Sequence, residues 1–146
     1  MSARLAALGL HVQVRQLPDS TRTAPEAAAA CGCELGQIVK SLVFTSPMDP
    51  LLVLCAGDRR VDVGRLGENV AMASPGDVRR LTGFAIGGVP PLGHEPPLRT
   101  VIDASLRRFP TVWCAAGTPS SVFEVATDAL LAAADGDVED VTDPVA

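Results

Sequence analysis

Apolar and polar positions in the first part of the chain predict one helix set against several strands. The segment HVQVRQL (11–17) alternates apolar and polar residues, as a half-buried strand does. TAPEAAAACGC (23–33) predicts a helix, because Thr23 and Glu26 form a Thr-x-x-Glu capping box and Pro25 stands in the first turn. The apolar runs QIVKSLVFT and PLLVLCAG, separated by the turn signal SPMD, predict two core strands.

Short helices are predicted at three further places. Ser2 is expected to cap a first helix reaching about Leu8, and VDVGRLGE (61–68) also reads as a short helix. SPGDVRRLTG predicts a helix capped by Ser74, with Pro75 at its first position and Gly83 at its end.

The remaining pattern predicts four strands and a closing helix. The strand segments are FAI (84–86), LRTVIDASL (98–106), TVWCAAG (111–117) and SVFEV (121–125). TDALLAAA predicts a helix capped by Thr127, and a short acidic tail comes after it. Because helices and strands do not alternate regularly, we expect an α+β fold with a mixed sheet rather than a doubly wound parallel one.

Composition places this pattern in one globular domain spanning residues 1–146. Apolar residues make up 47% and charged residues 20% of the 146 positions, enough for a proper core. No apolar run approaches the roughly 20 residues of a membrane helix, and the N-terminal apolar stretch is too short for a secretory signal. We therefore expect a cytoplasmic protein with no membrane partner and with reduced cysteines.

The charge of the chain restricts the kinds of partner that it can bind. A formal net charge of −5 and a pI near 4.9 argue against a protein that binds long nucleic acid through phosphates, so no DNA partner is predicted. Contact with a short nucleic-acid end through a local patch stays possible. Arg59-Arg60, Arg79-Arg80 and Arg107-Arg108 could supply such a patch, or they could be ordinary surface arginines.

Lys40 is the only lysine in the chain, against eleven arginines. In an extended strand it shares a face with Ile38, Leu42 and Phe44, since residues two apart point the same way. A lysine among large apolar neighbours either extends its ammonium from a sheet edge or points into a pocket. A surface lysine without a role is the third possibility.

The segment GGVPPLGH (87–94) combines glycines, which allow close approach of a ligand to bare backbone, with prolines, which hold the chain rigid. Such a loop is suited to presenting backbone N–H and C=O groups to a small polar ligand, although it could also be a structural turn. His94 beside it could act as an acid or base or lie exposed in solvent. Asp103, at the end of a strand, could reach the same pocket or cap the next turn of the chain, and Gly117 could permit close ligand approach.

Other familiar chemistry has no support in the sequence. The spacing of Cys31 and Cys33 is not that of C-x-x-C zinc or redox sites, and small buried thiols are the simpler interpretation. Phosphate-binding glycine loops, His-x-x-x-His pairs and Gly-x-Ser-x-Gly elbows are absent. We predict no metal and no cofactor.

Four segments together, GQIVKSLVF, FAIGGVPPLGH, VIDASL and VWCAAGTPSSVFEV, resemble the YbaK-like family in order and separation. These proteins are free-standing relatives of the editing domain of bacterial prolyl-tRNA synthetases. The resemblance implies a compact α+β domain around a mixed, strongly curved sheet. It also implies hydrolysis of the ester of wrongly charged tRNA, with release of alanine, cysteine, serine or threonine. The implied partner is the acceptor 3′ end of aminoacyl-tRNA, and the resemblance leaves open a synthetase as a second partner.

The resemblance also implies roles for individual residues. Lys40 and Gly88 are the implied catalytic residues, positioning water and stabilising the oxyanion. The implied substrate-binding residues are Gly87, Pro90, Gly93, His94, Asp103 and Gly117, although Asp103 and Gly117 could be structural and His94 stands where the family varies. Two other readings stay open: a non-catalytic module that binds an aminoacyl or nucleotide ligand in the same pocket, and a thiol enzyme using Cys31 or Cys33.

Overall fold

A computed structural model of the protein describes residues 1–18, 23–94 and 96–145. Its α-helices are α1 Ser2–Ala7, α2 Ala24–Cys31, α3 Pro75–Thr82 and α4 Thr127–Ala134. Its strands are β1 Val14–Gln16, β2 Val39–Thr45, β3 Leu51–Ala56, β4 Arg59–Val61, β5 Ala71–Met72, β6 Arg99–Asp103, β7 Thr111–Ala115, β8 Ser121–Ala126, β9 Asp137–Glu139 and β10 Thr142–Pro144. Short 3-10 turns occupy Leu35–Gln37, Val63–Arg65 and Ala104–Arg108.

The largest sheet is mixed, as predicted, with strand order β5-β2-β3-β6-β9. The β5, β2 and β3 strands pair antiparallel, whereas β6 pairs parallel with β3 and with β9. Two smaller antiparallel sheets have the orders β1-β8-β7 and β10-β4. A parallel bridge between Ile38 and Trp113 links the start of β2 to β7. The predicted α+β class is confirmed.

The β3 strand lies at the centre of the fold and is buried along its whole length. Its alternate residues enter different apolar clusters, because successive side chains of a strand point to opposite faces. Leu52 and Leu54 pack with Val39 and Val43 of β2 in the larger apolar cluster, which is called the main core below. The opposite face of the two strands carries a smaller cluster of Phe44, Leu51, Val53, Cys55, Val101 and Val141.

The helices predicted in TAPEAAAACGC and SPGDVRRLTG are both confirmed, including the residues that cap them. The Thr23 hydroxyl accepts a hydrogen bond from the Glu26 N–H and begins α2, which ends at Gly32 in the left-handed conformation. The Ser74 hydroxyl likewise accepts from the Asp77 N–H at the start of α3, and Gly83 ends that helix with a φ of +79°. Local side-chain chemistry therefore determines both helices.

Several local predictions are wrong, for identifiable reasons. FAI is not a strand, because this short segment turns back on itself through the Gly88 N–H to Ala85 C=O bond. Thr127 is the first residue of α4 and not its cap, and its hydroxyl donates to the Phe109 carbonyl instead. Ser2 likewise lies inside α1, whose cap position is Met1.

Three other regions gain strands that the sequence did not predict. VDVGRLGE supplies the end of β4 and a 3-10 turn instead of a helix, residues 71–72 form β5, and the acidic tail forms β9 and β10. Both tail strands join sheets through distant partners, β6 and β4, which a local pattern cannot indicate. Within the described ranges, no helix has the length and apolar character needed to cross a membrane.

Candidate active site

A cavity of about 270 Å³ opens beside the edge of β2. The β5 strand covers this edge only at Phe44 and Thr45, and the bridge from Ile38 to Trp113 covers its other end. Between these contacts, residues 40–42 have no strand beside them on this edge within the described chain. The cavity therefore has access to a stretch of strand that the sheet leaves uncovered.

The walls of the cavity are mainly apolar. They come from α2, α3, β2, β5, β7, β8 and the loops next to them: Thr23, Ala24, Ala27, Ile38, Val39, Lys40, Ser41, Leu42, Val43, Met72, Ala73, Val78, Ile86, Gly87, Val89, Trp113, Cys114, Ala115, Pro119 and Val122. Met72 and Ile86 are 64% and 53% exposed, respectively. They give the cavity an apolar rim.

Lys40 lies in the wall of this cavity, but its ammonium is already bonded. Its Nζ donates to the Arg59 carbonyl over 2.8 Å. The register pairs Lys40 with Cys55, so its side chain shares a face with Leu42 and Phe44, as the sequence predicted. Val39 and Val43 point to the other face, where they join the main core. Lys40 thus lies at the open edge of β2, with two of its three N–H protons not used by this bond.

No sequence pattern identified Ser41, next to Lys40, as a candidate site residue. It lines the cavity, and its Oγ is buried without a hydrogen-bond partner among the described residues. It shares its face of β2 with Val39 and Val43, which also line the cavity. A small hydroxyl between two core valines on a strand was the one available signal, and by itself it is weak.

Gly87 and Gly88 are adjacent but differently placed. Gly87 lines the cavity with a φ of +87°, and neither its N–H nor its C=O has a hydrogen-bond partner in the described part of the chain. Gly88 is buried and its backbone is fully used, with its N–H donating to Ala85 and its C=O accepting from Gly117. In this geometry Gly87 can offer backbone groups to a ligand, and Gly88 cannot.

Gly117 belongs with Gly88 rather than with the cavity wall. Its N–H donates to the Gly88 carbonyl over 2.9 Å, and its φ is +106°. A Cβ built on Gly88 would lie only 2.8 Å from the Thr118 Cα, so the two loops touch backbone to backbone. This contact holds the Gly87 turn in place beside β7.

Pro90, Gly93 and His94 form the second half of the loop, which packs elsewhere. Pro90 and His94 are buried, and His94 Nε2 donates to the Pro90 carbonyl over 2.8 Å. Gly93 and His94 line a separate groove beside α1, with Arg4 and Leu8. Burial lowers the pKa of His94, which favours the neutral ring. These residues are not brought together with Lys40 or Gly87.

Asp103 is a buried structural carboxylate. It caps the 3-10 turn Ala104–Arg108 by accepting from the Ser105 N–H and hydroxyl. Its other oxygen accepts from the Val141 N–H over 3.3 Å, which ties the tail to β6. Of the two roles that the sequence left open, the cap is the one observed.

Two arginines of the predicted pairs are already bonded within the protein. Arg108 forms a two-pronged ion pair with Asp58, and Arg59 bonds to Thr142, so neither is free for a ligand. Arg15, outside the pairs, stacks over the ring of Trp113 at 5.2 Å, next to the cavity.

Burial raises the pKa of Cys33 to about 11, and it also raises the pKa of Cys31, which disfavours a reactive thiolate at either residue.

Comparison with known proteins identifies the family to which this fold and this cavity belong. Residues 18–133 match the aminoacyl-tRNA editing domain family. A solved structure of a candidate trans-editing enzyme for prolyl tRNA synthetase superposes with a TM-score of 0.92 at 46% identity, over 97% of this chain and 94% of that one.

Two further proteins are similar to the chain in sequence. The uncharacterized protein YwhH of Bacillus subtilis is 37% identical over 77% of this chain and 74% of its own length. The multifunctional Ser/Thr-tRNA deacylase ProXp-y of Escherichia coli is 32% identical over 59% of this chain and 58% of its own. The chain belongs to the aminoacyl-tRNA editing domain family, whose class is that of aminoacyl-tRNA deacylases, as the sequence resemblance indicated.

Proposed function

We propose that this chain is a trans-editing hydrolase, which removes a small amino acid from mischarged tRNA by cleaving the aminoacyl ester. The observation that carries the proposal is the cavity beside the open edge of β2, with Lys40 and the backbone of Gly87 in its wall. The chain's family supplies the reaction class. The full chain, residues 1–146, is the proposed editing domain, acting in the cytoplasm.

The dimensions of the cavity favour a small aminoacyl group. At about 270 Å³ it lies below the range of roughly 300–1,000 Å³ that is usual for drug-sized ligands. Alanine, cysteine, serine and threonine are the proposed amino acids. The relative ProXp-y, described as acting on Ser- and Thr-tRNA, supports two of these. The apolar rim of Met72 and Ile86 offers an apolar contact surface for the terminal adenine outside the cavity.

The proposed chemistry needs positioning more than a strong nucleophile, because an aminoacyl ester is already activated. A water attacks the ester carbonyl, the new carbon–oxygen bond forms, and the bond to the ribose oxygen then breaks. The water's proton passes to that departing oxygen, directly or through a neighbouring ribose hydroxyl. The products are the free amino acid and uncharged tRNA.

Two groups are proposed to stabilise the negative charge that develops on the carbonyl oxygen. Gly87 lines the cavity, and its N–H has no hydrogen-bond partner among the described residues. Lys40 can supply one of its remaining N–H protons, or release the Arg59 carbonyl and reach further along the open edge. Gly88, predicted as catalytic, fits a supporting role better, because its bonds to Ala85 and Gly117 hold Gly87 in position.

The proposed nucleic-acid partner is the acceptor end of aminoacyl-tRNA. A chain of net charge −5 can hold only a few phosphates, so we expect weak and salt-sensitive binding. Arg15, stacked on Trp113 of the cavity wall, is a cation placed to meet one of them. Association with a synthetase is part of the proposal, and the solved relative named for prolyl tRNA synthetase supports it.

The test is deacylation of tRNA esterified with alanine, cysteine, serine, threonine or proline. Wild type, Lys40→Ala and Lys40→Arg are compared, and thermal unfolding checks that each is folded. Removing one charge-stabilising donor commonly lowers kcat by about 100- to 1,000-fold, so Lys40→Ala should lose at least about 100-fold on every ester that wild type cleaves. Lys40→Arg should keep part of the activity only if charge alone is needed.

Two results would redirect the proposal. Full activity in a folded Lys40→Ala protein would remove Lys40 from the mechanism and leave Gly87 as the main group. Absence of cleavage of all five esters by wild type would contradict the hydrolase, and the non-catalytic binding module would take its place.

A further inference from the structure

The wall of the cavity contains one buried side-chain oxygen that the described part of the protein leaves without a hydrogen-bond partner. Its hydroxyl- and ammonium-bearing wall residues within the described chain are Thr23, Lys40 and Ser41. The Thr23 hydroxyl is used at the start of α2, where it accepts from the Glu26 N–H and donates to the Glu26 carboxylate. The Lys40 ammonium donates to the Arg59 carbonyl. Of these three described side chains, only Ser41 has no hydrogen bond, although its Oγ is buried.

A buried hydroxyl without a partner is unfavourable for the folded protein, because it gave up its bonds to water and received nothing in exchange. Ser41 shares its face with Val39 and Val43, so its neighbours on that face of β2 offer it no polar group. An alanine would fill this position at lower cost. The hydroxyl therefore has its value when the cavity is filled.

The walls around Ser41 indicate which part of a ligand it meets. Val78, Val89 and Cys114 belong to the main core and line the same cavity as Val39 and Val43. The exposed side chains of Met72 and Ile86 stand at the rim. The buried apolar end suits the side chain of the amino acid, which leaves the rim and the Gly87 backbone for the ester and the ribose.

We propose that the Ser41 hydroxyl is a specificity contact, which hydrogen-bonds the side-chain hydroxyl of the released amino acid and favours serine or threonine over alanine. The inference rests on the proposed function. Its physical basis is that a buried group built to bond a substrate hydroxyl discriminates against the analogue that lacks it, because the group is then left unpaired. One neutral hydrogen bond corresponds to a preference of about tenfold.

The experiment uses serine and alanine, which differ by one hydroxyl. The ratio of kcat/KM for Ser-tRNA to kcat/KM for Ala-tRNA is measured for wild type, Ser41→Ala and Ser41→Thr. We expect Ser41→Ala to lower the ratio about tenfold, by slowing the serine ester and leaving the alanine ester within about twofold. Ser41→Thr, the matched control, keeps the hydroxyl and should keep most of the preference.

A second measurement does not depend on hydrolysis. Serine and alanine are each joined to the 3′ carbon of adenosine through a stable amide, and the rise in Tm that each compound causes is measured. The seryl compound should raise the Tm of wild type more than the alanyl compound, and the difference should vanish in Ser41→Ala. Without ligand, Ser41→Ala should melt about 3 °C higher than wild type, because the unpaired hydroxyl is gone.

The outcomes separate the two proposals. If wild type cleaves neither ester but still distinguishes the two amides through Ser41, the hydrolase fails and the specificity contact stands. If Ser41→Ala slows both esters equally, Ser41 serves the ribose or the ammonium common to both, and the contact with the side chain is overturned. An unchanged ratio together with unchanged amide shifts overturns it as well.

Discussion

The two halves of the loop from Gly87 to His94 perform different tasks, although the sequence presents them as one motif. The first half faces the cavity, and Gly87 is exposed there with backbone groups that no described residue bonds. The second half is buried, and Pro90 and His94 are bonded to each other beside α1. Only the first half is placed to meet a substrate in the cavity.

The difference shows that a rigid support and a site open to a ligand can be only a few residues apart in the sequence. Gly88 stands between the halves and is fixed from both sides by Ala85 and Gly117. Because Gly88 cannot move without breaking these bonds, Gly87 is held in its unusual backbone conformation by its neighbour. Substitutions in this loop should therefore separate into effects on stability and effects on activity.

The largest expected effect is that of Gly88→Ala. The new Cβ would lie 2.8 Å from the Thr118 Cα and 2.9 Å from the Gly117 oxygen, and backbone atoms cannot yield as a side chain end can. We expect a loss of about 2–3 kcal/mol in the free energy of unfolding, measured by urea denaturation, together with reduced activity.

Gly76→Ala is the control for Gly88→Ala. Gly76 lies in α3 without positive φ, and an added Cβ there would meet the Ser74 hydroxyl at an ordinary 3.9 Å. Alanine favours a helix over glycine by up to about 1 kcal/mol, so this variant should be at least as stable as wild type. Equal stability of the Gly88 and Gly76 variants would contradict the close contact between the loops.

The second prediction concerns Gly87→Ala. The new Cβ would meet Pro119 at 3.5 Å, an ordinary contact, but the φ of +87° disfavours any residue with a Cβ by about 1–2 kcal/mol. Because Gly87 lines the cavity, deacylation by the folded protein should fall as well, as its N–H turns away from the ester. Stability and kcat/KM are measured on the same preparation.

Gly9→Ala is matched to Gly87→Ala in backbone conformation. Gly9 has a φ of +92°, no described atom lies within 4 Å of an added Cβ, and the residue is not part of the cavity wall. It should lose similar stability and keep wild-type kcat/KM when folded. If both variants keep full activity, the Gly87 backbone is not part of the site.

The sequence predicted the fold better than the site, and particular residues explain why. Thr23, Ser74 and Gly83 act within one turn of chain, so their roles as helix caps and stop could be read locally. The alternation around Lys40 also predicted its face correctly. Which face borders a cavity depends on how β7 and α3 pack against β2, and no local pattern contains that information.

The errors have the same origin. The sequence assigned no strand to the acidic tail, because the strands that pair with β9 and β10 are far away in sequence. Ser41 passed unnoticed because an unpaired hydroxyl can be recognised only when all its neighbours are known. The two glycines of the loop look identical in sequence, and it is the contact with Gly117 that fixes one and leaves the other facing the cavity.

The smallest expected effect concerns His94 and tests the buried half of the loop by pH. Burial lowers the pKa of His94 in the folded protein, and the positive charge of Arg4 acts in the same direction. The unfolded chain, with an ordinary histidine pKa near 6.5, therefore binds the proton more readily. Folding stability should be fully present above about pH 6.5 and should fall as the pH drops below it.

The slope from this single proton cannot exceed about 1.4 kcal/mol per pH unit, so the change is modest. His94→Gln keeps a donor for the Pro90 carbonyl but does not titrate, and its stability should depend less on pH between about 7.5 and 5.5. Activity of the folded His94→Gln protein should stay near wild type, because His94 borders the groove beside α1 and not the cavity; a large loss would place the second half of the loop in the site after all.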